Sequence, residues 1–189
     1  MPFGRNISRE VGGPSGNTMQ LTLVEPSEFY REQFLRAVED YRAGHDDQAT
    51  RYARAESDFA GFIQTWHDRA AGRDLAPGYV PESMFWMIDE RGEVLGVLRL
   101  RHRLTPIRSG HIGYDIRPSM RGQGLGTELL RLGLAEAALL GIKQALLVCD
   151  SDNHASRRVI EKNNGILQDE MLSEETGPMC CRYLIEIPS

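Results

Sequence analysis

Residues 117–127 read Arg-Pro-Ser-Met-Arg-Gly-Gln-Gly-Leu-Gly-Thr, with glycine at positions 122, 124 and 126. An alternating run precedes them at 111–116, and an amphipathic run follows at 128–140, bearing Leu129, Leu130, Leu132, Leu134 and Ala138. A strand that turns through glycines into a helix constrains this chain more than any other feature. Glycine lets the backbone approach a ligand, and the first turn of a helix leaves N–H groups without partners. Together with the helix dipole, those donors suit a compact anion such as a diphosphate. Arg117 and Arg121 add positive charge at the rim. The spacing fails two common phosphate motifs: G-x-G-x-x-G counted from Gly122 requires glycine at Thr127, and a P-loop requires glycine there followed by lysine.

The charge distribution agrees with a small anionic ligand. The net charge is −5, with 22 basic and 27 acidic residues. Within 99–131, however, seven arginines face only Asp115 and Glu128. A locally basic segment in an acidic protein fits a compact anion, whereas a long nucleic acid would want a wider basic surface. Cys149, Cys180 and Cys181 form no disulfide framework and lack metal-ligand spacing, and the five histidines add no metal motif. They read as reduced cysteines. No uncharged apolar run approaches the ~18 residues needed to span a bilayer, and the first residues lack a signal peptide's apolar stretch. The expected location is the cytoplasm, with no membrane partner.

Residues 1–18, rich in Gly, Ser, Pro and Asn, read as a flexible N-terminal extension, with one domain over 19–189. Periodicity and turn residues then predict a strand at 21–24, a helix with Phe34, Leu35, Val38 and Tyr41 on one face, and a second helix at 56–71. Strands follow at 84–88 and 94–101, joined by Asp89-Glu90-Arg91-Gly92, and another at 111–116 ended by Pro118. After the glycine turn and its helix come a strand at 145–149, read as buried on both faces, and a helix at 153–163. Strands at 166–171 and 182–187 close the chain. The order β-α-α-β-β-β-α-β-α-β-β defines a mixed α/β fold.

Arg121-x-x-Gly124-x-Gly126 after a strand resembles the acyl-CoA-binding signature of the GNAT superfamily of N-acetyltransferases. The order of elements from Leu21 onward is similar too. So are the strand ending Val148-Cys149-Asp150 and the Asn153-x-x-Ser156 that opens the next helix. Gly110-His111-Ile112-Gly113-Tyr114-Asp115-Ile116-Arg117-Pro118 resembles a subgroup of predicted acetyltransferases. The resemblance implies a mostly antiparallel sheet, splayed in the middle and flanked by about four helices, with acetyl-CoA lying in the gap. It implies that the amides of Gly122, Gln123, Gly124, Leu125, Gly126 and Thr127 hold the diphosphate. It also implies that the strand ending Ile116-Arg117 pairs with the pantetheine arm as an added strand does. Asn153 and Ser156 would sit beside that arm and the thioester, and Arg121 would complete the cofactor set.

The implied reaction is direct transfer of an acetyl group to a primary amine of a small molecule or peptide in a ternary complex. The alternative is a non-catalytic acyl-CoA-binding or sensing module. The resemblance leaves a homodimer open. Many members carry a tyrosine acid seven residues after the asparagine; here that position is Ile160. Tyr183 is one substitute, or else a tyrosine packed at a sheet edge. His111 suits a general base because an imidazole titrates near 6.5, or it is a hydrogen-bonded structural histidine. Alternation puts His111, Gly113 and Asp115 on one face, where Asp115 would orient the imidazole or bind the amine. A backbone N–H near Ile116 would meet the developing oxyanion. Glu39, Asp40, Asp46, Asp47, Glu56 and Asp58 form an acidic stretch that would favour a cationic amine, or a solvated acidic face.

Overall fold

The structure, a computed structural model, describes residues 7–12, 18–104, 110–172 and 179–188. Alternation in the strands builds two cores, one on each face of a sheet. In β2 (Thr18–Val24), β3 (Glu82–Ile88), β4 (Val94–Arg101) and β5 (Ile112–Ile116), one set of residues meets the glycine-turn helix. That set includes Leu21, Leu23, Phe85, Met87, Leu98, Ile112 and Ile116. The other set, including Val24, Met84, Trp86, Ile88 and Val97, meets the N-terminal helices. Side chains that point alternately to two covered faces explain why β3 and β4 read as nearly unbroken apolar runs.

The N-terminal helices are α1 (Arg31–Ala43), α2 (Gln48–Tyr52), α3 (Arg54–Ser57) and α4 (Phe59–Ala70). Phe34 of α1 stacks on Trp86 with centroids 4.3 Å apart, and Phe59 and Phe62 of α4 close around the same pair. Truncating a buried aromatic of this kind costs about 3–5 kcal/mol, so this cluster holds the helical layer on the sheet. On the opposite face lies α5 (Leu125–Leu139). It sits so close to β4 that a Cβ on Gly133 would come within 2.2 Å of Leu98 Cδ1.

The sheet is divided. Five strands pair antiparallel in the order β1-β2-β3-β4-β5, and three more in the order β6-β8-β7. The second set is β6 (Gln144–Asp150), β7 (Ile166–Leu172) and β8 (Met179–Glu186), with α6 (His154–Lys162) between β6 and β7. This is the mixed, mostly antiparallel α/β architecture expected, splayed between β5 and β6.

Three expectations need correction. Ile7–Gly12 is not a flexible extension: it forms β1, paired from Ile7↔Leu23 to Gly12↔Thr18, with Ser8 Oγ 2.9 Å from Thr22 Oγ1. The open edge of β2 offers a ladder that this short segment completes. The rest of that expectation, at 1–6 and 13–17, lies outside the described residues. The helix expected at 56–71 is split, α3 ending at Ser57 and α4 starting at Phe59, and residues 48–55, to which no element was assigned, are largely helical in α2 and the start of α3. Finally, β6 is not buried on both faces: Ala145 and Leu147 are buried, while Leu146, Val148 and Cys149 are half-exposed. Its second face borders the splay.

Candidate functional site

Two backbone bonds fix which edges of β5 are free. Arg101 N–H donates to His111 C=O at 2.8 Å, and Arg117 N–H donates to Leu95 C=O at 3.1 Å. The register between them pairs Arg99 with Gly113 and Val97 with Asp115. Bonded and non-bonded pairs alternate in an antiparallel ladder, so the odd residues bond to β4. The N–H and C=O groups of Ile112, Tyr114 and Ile116 therefore face the gap. The Arg121 Nε bond to Ile116 C=O, 2.9 Å, lies on that outer side. Among the described residues, the backbone bond that joins the two sheets is His111 N–H to Leu146 C=O, 2.7 Å.

Where β5 ends, a short turn at Pro118–Met120 leads into the glycines. Gly122 and Gly124 have φ of +77° and +80°, the left-handed region that glycine enters without strain. A Cβ on either would meet nothing within 4 Å, so this face of the turn is open. The first bonds of α5 run from Thr127 and Glu128 N–H to Gly124 C=O. The amides of Leu125 and Gly126 thus precede the ladder and point out of the helix start.

These features border a cleft of about 540 Å³. One wall is β5 and the glycine turn, from Asp115 and Ile116 through Arg121, Gly122 and Gly124 to Thr127. The other is α6, capped by Asn153, whose Oδ1 accepts the Ser156 N–H at 3.0 Å. Buried Asn163 ties the walls together, its Nδ2 donating to Thr127 C=O at 3.1 Å and Val159 C=O at 2.9 Å. The expected cofactor residues Ile116, Arg121, Gly122, Gly124, Leu125, Gly126, Thr127, Asn153 and Ser156 all border this cleft. Gln123 does not line it; its exposed side chain lies over Met120. Arg117 turns away, bonding Asp40 through Nε at 2.8 Å while its backbone N–H is held by β4.

The expected catalytic side chains are placed differently. His111 is 8% exposed and does not line the cleft. Its Nδ1 accepts the Leu146 N–H at 3.0 Å, so a neutral ring carries its proton on Nε2 and has no lone pair left for an amine. Burial, with Arg101 nearby, lowers its pKa below the ordinary imidazole value. Of the two readings left open for His111, the structure shows the hydrogen-bonded one.

Asp115 does reach the cleft, but both its oxygens are engaged. Tyr41 donates to Oδ1 at 2.5 Å; Tyr52 and Arg99 donate to Oδ2 at 2.8 Å each. Burial works against the Arg99 charge, but the Tyr52 oxygen and Asp115 outweigh it and hold the guanidinium above its usual pKa. This network fastens α1 and α2 to β5, and it makes Asp115 a poor partner for the His111 ring. Tyr183 is also out of reach: 1% exposed, its hydroxyl is shared by Arg157 Nε and Glu161 Oε1, both at 3.1 Å, away from the cleft. Ile160 is 1% exposed in the core.

The acidic stretch before the cleft is largely neutralised. Asp40 pairs with Arg117, Glu39 and Glu56 with Arg42, and Asp58 with Arg54. Asp46, bordering the cleft, pairs with Arg121; burial pushes its pKa up, but the guanidinium and the Gln48 amide hold it below the usual value. It reads as a solvated, paired face rather than a free acidic wall.

Sequence reading missed several cleft residues. Ala155, Arg158, Val159 and Lys162 share the α6 face that borders it, at the i, i+3, i+4, i+7 spacing that could have flagged them. Gln48 arrives from about 70 residues away, with no local signal; Asp46, expected only as part of the acidic stretch, borders the cleft beside it. Tyr114 borders the cleft and bonds Ser156 Oγ at 2.9 Å.

An open strand edge that leads into an amide-lined glycine turn, opposite a capped helix, is the frame of a protein that takes an extended ligand with an anionic end. Residues 22–165 match the family described as the acetyltransferase (GNAT) domain, and the chain belongs to that family. A mycothiol acetyltransferase of Amycolatopsis mediterranei (strain U-32) is 36% identical over 98 residues, 47% of this chain and 32% of that relative. The match thus spans about a third of the relative's length. Among solved structures, the RimL ribosomal L7/L12 alpha-N-protein acetyltransferase in complex with coenzyme A has a TM-score of 0.67 at 23% identity. It covers 88% of this chain and 94% of its own. Mycobacterium smegmatis RimJ in complex with CoA-disulfide has a TM-score of 0.70 at 14% identity, covering 97% and 88%. At these identities the two structures establish the fold.

Proposed function

We propose that the protein transfers an acetyl group from acetyl-CoA to a primary amine of a small molecule or peptide, by direct attack in a ternary complex. The observation that carries this reading is the gap-side edge of β5, whose Tyr114 groups and Ile116 N–H lie outside the β4 ladder and which leads into the open amides of the glycine turn. Acetyl-CoA has a matching form: an amide-bearing arm with a diphosphate at one end. It supplies an activated acetyl thioester. The N–H and C=O of Tyr114 and the N–H of Ile116 bond the arm as a neighbouring strand would, the Ile116 C=O being held by Arg121. The amides from Gly122 to Gly126, ahead of the first bond of α5 from Thr127 N–H to Gly124 C=O, take the diphosphate at the positive end of that helix.

Arg121 is occupied by Ile116 and Asp46, so it shapes the turn, and the mobile countercharge comes from Arg158 and Lys162 across the cleft. An N–H on the β5 edge faces the developing oxyanion. The one acceptor of neutral His111 is filled and Asp115 is held by three donors and paired with Arg99, so the amine enters as its free base and its proton leaves to water. The rate then follows the acceptor's own pKa. The acceptor reaches the thioester from the side of α1 and α2, which the Asp115 network holds in place.

Thermal unfolding tests this directly, with the protein alone and with acetyl-CoA, ATP or NAD. Ligand at 100 times its Kd adds about 2.7 kcal/mol, which for this length raises Tm by roughly 5–11 °C. The expected result is a shift with acetyl-CoA, followed by thiol release in a screen of amines. A shift with a nucleotide alone would overturn the reading.

A further inference from the structure

Family membership leaves a chemical question in this chain. The departing sulfur takes the electron pair of the C–S bond, yet the position where many relatives carry a phenol is Ile160, buried in the core. The phenol of Tyr183 is held by Arg157 and Glu161. Another phenol does face the gap. Tyr114 lies on β5, borders the cleft, and places its hydroxyl 2.9 Å from Ser156 Oγ in the first turn of α6. That contact bridges the two walls where the sheet opens.

We infer that the Tyr114 hydroxyl donates the hydrogen bond that stabilises the coenzyme A sulfur as it leaves; this rests on the acetyl-transfer reading above. In the step, the amine nitrogen bonds to the acetyl carbon and the C–S bond breaks with its electron pair going to sulfur. The amine proton passes to water, and the thiolate rests against the Tyr114 O–H. No oxidant or further reactant enters.

The surroundings favour a donor over an acid. Burial pushes the Tyr114 phenol up to about 12, with the Ser156 contact opposing the rise. The phenol therefore keeps its proton at any working pH and stabilises the sulfur by hydrogen bonding rather than by giving the proton up. The titratable group that faces it is Cys149 of β6, itself pushed by burial up to about 11. A neutral thiol there adds no negative charge to compete with the sulfur. The Ser156 hydroxyl, able to donate to the phenol or to accept from it, meets the phenol where the sheet opens.

The test needs no acceptor. Free coenzyme A is bound to the protein, and thiolate absorbance in the ultraviolet is followed against pH, with the unliganded spectrum subtracted. An ordinary thiol titrates at about 8.5. With Tyr114 donating, the bound thiol in the wild type titrates about one unit lower than in Tyr114→Phe, while affinity for coenzyme A stays within about twofold. Ser156→Ala leaves the lowering in place. Coincident titrations in wild type and Tyr114→Phe would overturn the inference alone. So would a lowering lost in Ser156→Ala but kept in Tyr114→Phe. Failure of the wild type to bind coenzyme A would overturn the function itself.

Discussion

His111 joins the two sheets with its side chain as well as its backbone: its N–H donates to Leu146 C=O at 2.7 Å, while its Nδ1 accepts the Leu146 N–H at 3.0 Å. The imidazole takes the place of the next carbonyl in a ladder that stops there, so the Leu146 N–H is satisfied at the point where β5 and β6 part.

This fork should be sensitive to acid. His111 titrates below its unfolded value of about 6.5 because it is buried near Arg101. Below that value the unfolded chain takes up a proton that the folded ring resists. Stability is therefore full above about 6.5 and declines as the pH falls through it. His111→Ala strands the Leu146 N–H and should cost about 1–3 kcal/mol in urea unfolding at pH 8. It should also flatten the loss of Tm between pH 8 and pH 5.5; an unchanged slope would assign that loss to His102, whose pKa burial also lowers.

Glu136 on α5 has the opposite sign. Burial, with Glu25 nearby, pushes its carboxyl up to about 7. Between the unfolded carboxyl value of about 4.3 and that point, the folded chain holds a proton that the unfolded chain has lost. Stability thus falls as the pH rises through this window and levels off above it. Glu136→Gln should raise Tm at pH 8 and leave it nearly unchanged at pH 4.5, as read by thermal unfolding at the two values.

Arg158 and Lys162 are exposed, one helical turn apart, on the cleft-facing side of α6. Charges in that setting act through a screened field. Arg158→Gln with Lys162→Gln should weaken coenzyme A binding by about tenfold at low salt, roughly 1.4 kcal/mol. The variant should also lose most of the salt dependence of Kd that calorimetry finds in the wild type. Equal salt slopes would remove these two residues from the site.

Local patterns in the sequence led to the glycine turn, the helix after it and the Asn153 cap, because each is specified within a few neighbouring residues. The catalytic side chains were not legible in the same way. Alternation put His111 and Asp115 on one face, yet it could not show that a backbone amide 35 residues on would occupy the ring. Nor could it show that two tyrosines and Arg99 would engage both oxygens of the carboxylate. Those partners come from α1, α2, β4 and β6, and only the packed fold brings them together. Strand β1 was missed for a related reason: six residues amid glycines and serines have little strand character until an open edge pairs with them.

Apart from the Tyr114 phenol, what β5 presents to the gap at Ile112, Tyr114 and Ile116 is main chain. A recognition surface made of peptide groups is invisible to most mutation: leucine, valine or threonine at Ile116 would repack against α5 and still offer the same N–H and C=O. Proline alone among the ordinary residues erases the donor. Tyr114 aside, this stretch of the protein is therefore free to drift in sequence while keeping its hold on an extended ligand. Divergence between relatives in what they act upon must then be written elsewhere, in the helices and loops that frame the far end of the gap.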